Sequence, residues 1–407
     1  RRAVMKIDAR EIKCALSSEE DSFAKKSYSK VIPALELGER LLKIISNEDN
    51  NFYSEALGRT DAGYPSNGIA AFTGFAHGFW IREFDKNPMD DDNKYKGFTT
   101  SFQDYAEALR AVWNLGLGIE KIGFKERVRV EKQEYFYNNN VTIKLPYQVN
   151  NLERRVAKEY YYSGIEIGYS KGGEYEEAMG LDEYNTKSTF TTIISRIKNT
   201  YRMVCKYRAD PYGIEFARRK PKSKFPTEDS RYDKDIFMFD LKRWYGNFFK
   251  LRDWEDDFYK KPTGTFSPET ATNLRFSPFN MLLRHGWVIA AGLINYSLDY
   301  IRYGSSTANS SLKTQLIDGK EYAENSNIKN SDLKRPKYKP QWLEFEHTVD
   351  FNIMQQVQGT TKINGKEVPN FYGLVQFTNE DGQSEKGFLF SLKPNGAGKW
   401  KLLKANR

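Results

Sequence analysis

The stretch NLRFSPFNMLLRHGWVIAAGL (273–293) decides how this chain is read. It is the most apolar part of the sequence, yet it carries Arg284 and one of only three histidines, His285. A membrane anchor, a catalytic centre and a core helix compete for it. Crossing the hydrocarbon layer takes about 20 apolar residues. The uncharged run from Gly286 to Ile294 has nine, so no membrane span is expected. A catalytic histidine needs a nucleophile or carboxylate within hydrogen-bond reach. On a helix the nearest neighbours of His285 are Met281, Leu282, Val288 and Ile289, all apolar. A core helix is the remaining reading. Ser277-Pro278 supplies a hydroxyl cap and a proline for the first turn, and Phe279, Leu282, Leu283, Gly286 and Ile289 recur at spacings of three and four. Arg284 and His285 are then expected to satisfy polar partners at the edge of that core.

Outward from this helix, 407 residues exceed what one ordinary core serves, which favours two or three domains. With 26 Tyr and 27 Phe the chain is too aromatic for a disordered protein. A net charge of +9 invites a nucleic-acid reading. The 63 basic residues are mixed with 54 acidic ones, however, so nucleic acid is not expected as a partner. Cys14 and Cys205 form no CxxC pattern, which gives neither a zinc site nor a disulfide framework. Arg1 in place of methionine suggests residues upstream, and no secretory signal is visible.

The periodicities sketch an α+β chain, mainly β. In VIPALELGERLLKII (31–45) Pro33 suits a first turn, and Leu37, Leu41 and Ile45 make a buried stripe. TTSFQDYAEALRAVWNLG is a second helix, capped at Thr100-Ser101 and stopped at Asn114, with Phe102, Tyr105, Ala106, Leu109, Val112 and Trp113 on its apolar face. Strands follow in IEKIGF and RVRVEKQEYFY. EYYYSGIEIGYS, STFTTIIS, YGIEFARR and DIFMFDLKR also read as strands, and a loop is expected near 304–311. KRPKYKP (334–340) looks like a stiff connector. Beyond it WLEFEHTVDF alternates, TKI-NG-KEV is a type I′ hairpin, and FYGLVQF turns through NEDG into KGFLFSL. These short strands predict a small β-barrel or sandwich with Phe371, Val375 and Phe377 inward. The expected organisation is an N-terminal strand segment (1–20) pairing elsewhere, an α+β unit (21–150), a β-rich unit with one apolar helix (151–333) and a C-terminal small β-barrel (341–407).

Several clusters bear chemistry. Glu344, Glu346 and Asp350 share one face of the expected strand 342–351, where two carboxylates could flank a sugar; a solvated face is the simpler reading. His77 and His347 are isolated, and no histidine pattern has metal spacing. Asp90-Asp91-Asp92-Asn93 offers oxygen ligands without EF-hand spacing. Gly116-x-Gly118 follows a helix and precedes a strand, the reverse of a dinucleotide turn. No cofactor or metal is therefore expected. Arg218, Arg219, Lys220, Lys222 and Lys224 form a basic cluster suited to a partner interface, followed at once by Glu228, Asp229, Asp233 and Asp235.

Two resemblances bear on function. LGRTDAG (57–63) is similar to the GRTDAG motif of tRNA pseudouridine synthases, whose aspartate is the nucleophile, which implies Asp61 here. That similarity spans six residues and ends at Tyr64-Pro65-Ser66, where the family has Val-His-Ala. Longer stretches, namely GFTTSFQDYAEALRAVWNLGLGIE, GLDEYNTKSTFTT, ADPYGIEFARR, NLRFSPFNMLLRHG and GKWKLLKANR, resemble virion proteins of tailed bacteriophages and prophages of Bacteroidota. This resemblance covers about residues 30–407 and implies a non-enzymatic tail, tail-hub or baseplate component. Such a component forms an oligomeric ring with copies of itself and other tail proteins, within a virion assembled in the host cytoplasm. A carbohydrate-binding tail module is the further alternative, suggested by surface aromatics and Glu344/Glu346.

Overall fold

A computed structural model describes residues 26–83, 98–122, 125–172, 183–219, 232–246, 248–253, 256, 272–293, 299–306, 312–315 and 320–406. Strand predominates in a mixed α+β fold. Among the described residues the α-helices are α1 Ala34–Ser46, α2 Gly78–Ile81, α3 Phe102–Trp113, α4 Pro211–Arg219, α5 Pro278–Ala290 and α6 Phe351–Gln358. No helix among them is long and apolar enough to cross a membrane.

α5 forms from the stretch that opened the sequence analysis, and it starts as the residues dictate. Pro278 occupies the first turn and Ser277 Oγ accepts from the Asn280 amide. It joins two cores. Phe279, Met281, Leu282 and Ile289 pack with α1, α3 and a five-stranded sheet. In that sheet the order is Thr200–Cys205, Gly164–Tyr169, Ser188–Thr191, Tyr300–Ser306, Ile328–Lys329, parallel only in its first pair. From the other side of α5, Trp287 meets Tyr137 at 5.4 Å and Tyr338 at 5.8 Å, on the outer face of a six-stranded sheet. Full burial of each large apolar side chain contributes about 1.5–3 kcal/mol, so contacts on both sides of this helix tie the two cores together; Trp287 Nε1 is buried there with no hydrogen-bond partner among the described residues.

The six-stranded sheet runs Val141–Gln148, Leu374–Thr378, Ser384–Lys393, Lys399–Ala405, Tyr338–Glu346, Asn150–Val156. Its two edge strands are consecutive in the chain, with only Val149 between them. A one-residue link spans about 7 Å, so the sheet must curl until its edges meet at that end. Val375, Phe377, Leu343, Phe345, Trp400 and Leu402 fill the concave side, and Ile353 of α6 joins them. The closed barrel expected over 341–407 is therefore corrected to a coiled open sheet. No ladder joins the edges among the described residues, and two strands come from before residue 157. The sheet thus spans the expected boundaries at 150/151 and 333/341.

Other expectations shift for identifiable reasons. YGIEFARR is helical, because Asp210 and Pro211 act as cap and first residue rather than as a turn, and Glu215 pairs with Arg218 and Arg219 one turn on. The alternation of WLEFEHTVDF stops at Glu346. Asp350 Oδ1 then caps α6 through the Ile353 amide, leaving Phe351 exposed. In α1 the buried residues are Ala34, Leu35, Leu37, Gly38 and Leu42, while Ile45 faces solvent, and Pro33 is the cap residue itself. The 334–340 segment is pinned rather than free: Lys337 Nζ donates to the carbonyls of Glu134 and Tyr137, and residues from Tyr338 onward belong to the sheet. Gly304–Ser306, expected in a loop, closes a strand.

Other local readings hold. Ser101 caps α3 and Asn114 ends it in the left-handed region at φ 55°. Asn364 and Gly365, at φ 50° and 81°, turn the hairpin between Thr360–Ile363 and Lys366–Pro369. Val375 and Phe377 point inward, while Phe371 lies half-buried in the turn Asn370–Tyr372. Gly116 and Gly118 have a packing role. A Cβ there would lie 2.7 Å from the Phe136 ring and 2.1 Å from Tyr372 Oη respectively. Residues 1–25, with the expected N-terminal strand and Cys14, fall outside the described residues, as do Asp90–Asn93.

Candidate interaction surface

A four-stranded antiparallel sheet, ordered Ile32–Pro33, Thr73–His77, Ile236–Tyr245, Phe248–Leu251, carries a group of exposed aromatic side chains. The strand Ile236–Tyr245 starts in the core, with Phe237 and Met238 fully buried. It ends at an exposed hairpin tip, where Gly246 takes φ 53°. Opposite the short strand Phe248–Leu251 the register slips between Arg243 and Tyr245, a bulge that sets Trp244 and Tyr245 against Phe248. These three aromatics are 59%, 79% and 60% exposed. Together with Tyr28 they line an open concavity of about 620 Å³.

Two anchors hold this tip. At its base Arg243 Nη2 lies 2.5 Å from Asp61 Oδ1, and Arg243 also sits over the Phe249 ring at 6.0 Å. On its flank the segment carrying Tyr28 runs beside α4, where Arg218 Nε donates to Ser27 Oγ at 3.1 Å. The C-terminal end of α4 and the aromatic hairpin are thereby joined through residues 27 and 28. Of the expected basic cluster, Arg218 is half-buried against Glu215 and Arg219 is exposed. Lys220, Lys222 and Lys224 lie outside the described residues.

The aromatic tip was missed in the sequence. Its signal is RWYGNFF (243–249), where bulky aromatics stand on both sides of the Gly-Asn pair in the sequence and break the alternation of a half-buried strand. A turn that is apolar on both shoulders exposes the very residues a fold otherwise covers.

The residues singled out for catalysis are placed elsewhere and serve other roles. Asp61 sits on the one-turn 3-10 helix Thr60–Ala62, its side chain 35% exposed. Its carboxylate is shared by Arg243 and by Arg59 Nε at 3.2 Å, and the Arg243 hydrogen bond above all holds it below the usual carboxylate range. Arg59 in turn binds Glu36 of α1 through both terminal nitrogens. Glu344 pairs with Lys401 at 3.0 Å across strands, and Glu346 accepts from Asn151 at 2.9 Å. With Asp350 capping α6, the expected three-carboxylate face is divided.

His285 is fully buried, not at the core's edge. Nε2 lies 2.9 Å from the Ala111 carbonyl, which can only accept, so that nitrogen carries the proton. Nδ1 then accepts from the Tyr201 hydroxyl at 2.8 Å. Burial pushes its pKa down to about 4, which keeps the ring neutral in this arrangement. Beside it Arg284 closes the end of α3, donating to the Val112 carbonyl at 2.8 Å and covering the Trp113 ring at 4.2 Å. His77 lies among Phe79, Trp80 and Phe98. The nitrogens of His347 lie 2.6 and 2.9 Å from the carbonyls of Pro146 and Thr348. Cys205 is buried and its thiol pushed up to about 12 by desolvation, which opposes thiolate chemistry. No cluster of three or more metal-ligating side chains occurs among the described residues. Comparison of the chain with family models, curated proteins and solved structures finds no match.

Proposed function

We propose that the chain is a structural component of a tailed-phage virion, in the tail or its hub, acting through assembly rather than catalysis. The observation that carries this reading is the contrast between polar side chains already engaged within the fold and aromatic side chains left to solvent. His285, Asp61, Glu344 and Glu346 are each engaged in contacts that hold elements together, while Trp244, Tyr245 and Phe248 project to solvent from an anchored hairpin. Exposed Trp and Tyr beside arginine are the residue types that carry binding energy at protein surfaces. The chain-long resemblance to phage virion proteins points the same way. In this reading the modules are the coiled six-stranded sheet and the α+β body, with α5 between them. Copies of the chain and other tail proteins are its partners, in an oligomeric ring.

Mass spectrometry of virions purified from the source phage tests the proposal, together with sedimentation of the isolated chain. The expected result is this chain as a stoichiometric virion protein that also associates at micromolar concentration. Its absence from virions would reject the assignment.

A further inference from the structure

The concavity at the hairpin tip has a chemistry of its own. Its four aromatic side chains offer flat apolar faces, yet Tyr28 Oη, Tyr245 Oη and Trp244 Nε1 have no hydrogen-bond partner among the described residues. Aromatic faces with free polar edges suit a ligand that is apolar on one side and hydroxylated around its rim. A pyranose ring is such a ligand. A volume of about 620 Å³ falls within the usual range for small-ligand sites, about 300–1,000 Å³. The hollow is open rather than enclosed, which admits an internal unit of a longer chain.

Charge narrows the class. Lys26 and Lys30 lie two residues to either side of Tyr28, and Lys250 lies two residues beyond Phe248; all three are exposed. Asp61 at the base of the hairpin is paired with Arg243, and Asp253 and Asp256 are paired with Lys242, the cross-strand neighbour of Lys250. A lipid surface is met better by a convex tip than by a hollow. A second copy of the chain seated on the tip, which the assembly reading allows, would have to cover the lysines and supply acceptors for the three polar groups, and it would compete with a polymer for the same rings. We infer that this concavity binds an acidic polysaccharide, the sugar faces stacking on Trp244 and Tyr245 while carboxylates of the polymer meet the surrounding lysines. This goes beyond the virion assignment and does not require it.

Affinity electrophoresis of the full chain in native gels containing alginate or polygalacturonate tests the inference, with dextran as neutral polymer. A basic protein is retarded by any polyanion, so the decisive comparison is with W244A/Y245A, which keeps the net charge. The expected result is retardation by an acidic polysaccharide that falls tenfold or more in W244A/Y245A. It should fall further in K26Q/K250Q, with an unchanged melting curve for each variant. Equal retardation of parent and W244A/Y245A would overturn the site, as would no retardation of either. So would loss, in that variant, only of self-association or of binding to phosphatidylcholine–phosphatidylserine vesicles. Binding by a chain absent from virions would reject the virion assignment and leave this inference standing.

Discussion

The seam around α5 and the tip of the 236–251 hairpin are built from the same residue types and put them to opposite use. At the seam Trp113 is held between Arg284 at 4.2 Å and Arg275 at 5.2 Å, and its Nε1 donates to Thr73 Oγ1 at 2.8 Å. Asn114 donates to the Arg284 carbonyl at 2.8 Å. At the tip Trp244 stands 59% exposed, with Arg243 directed away to Asp61. Aromatic and arginine content therefore says little by itself. For Trp113 and Trp244 what separates scaffold from surface is whether the indole N–H is already partnered inside the fold; Trp287 of the same seam, buried without a partner for its Nε1 among the described residues, is held by ring packing instead. Buried polar groups left without partners cost about 1–3 kcal/mol each, so the seam tolerates almost no change, whereas water can satisfy whatever the tip loses.

The largest effect is expected for Trp113→Ala. The substitution removes a 3% exposed indole, two cation–π contacts and the partner of Thr73, and opens a cavity between α3 and α5. Loss of a buried tryptophan costs about 3–5 kcal/mol, which urea denaturation would register as a lower midpoint. A change below about 1 kcal/mol would mean that α3 and α5 are not joined through this ring.

Acid should act on the seam and not on the tip. The folded pKa of His285 lies near 4, below the ordinary value of about 6.5. The unfolded chain therefore binds the proton first as pH falls. Stability from this group is fully present above about pH 6.5 and is lost progressively down to about pH 4. A shift of this size corresponds to roughly 3–4 kcal/mol at most. The measurement is the pH dependence of urea midpoints for the parent and for His285→Gln. The parent should fall more steeply between pH 6.5 and 4, and parallel curves would remove His285 as the responsible group.

The same contrast explains how much of the molecule was legible in its sequence. α5 and α3 were readable because their caps are local: Ser277-Pro278 and Ser101 act within one turn of themselves. The Asn364-Gly365 hairpin was readable because its positive φ angles belong to two adjacent residues. The six-stranded sheet was not, since Val141–Gln148 and Leu374–Thr378 pair across more than 200 residues, and no local pattern records that partnership. His285 shows the same limit. Its apolar helix neighbours correctly pointed away from local partners, but Tyr201 and Ala111 arrive from other elements. The hairpin tip was hidden by the assumption that aromatics in a strand face the core. The basic cluster at 218–224 was visible, but the contact of Arg218 with the segment carrying Tyr28 depends on Ser27, nearly 200 residues away.

The smallest effect is expected at the tip, and it sharpens the comparison most. Trp244→Ala, Tyr245→Ala and Phe248→Ala together remove three large aromatics. If these are spent on nothing inside the chain, stability should change by no more than about 0.5 kcal/mol per site, as surface substitutions usually do. The triple variant should therefore unfold in urea within about 1.5 kcal/mol of the parent, against the greater loss from Trp113→Ala alone. Losing as much as the seam variant would show that another part of the chain covers these aromatics in solution. The tip would then be a second seam, and neither a glycan nor a neighbouring subunit could reach it without displacing that cover.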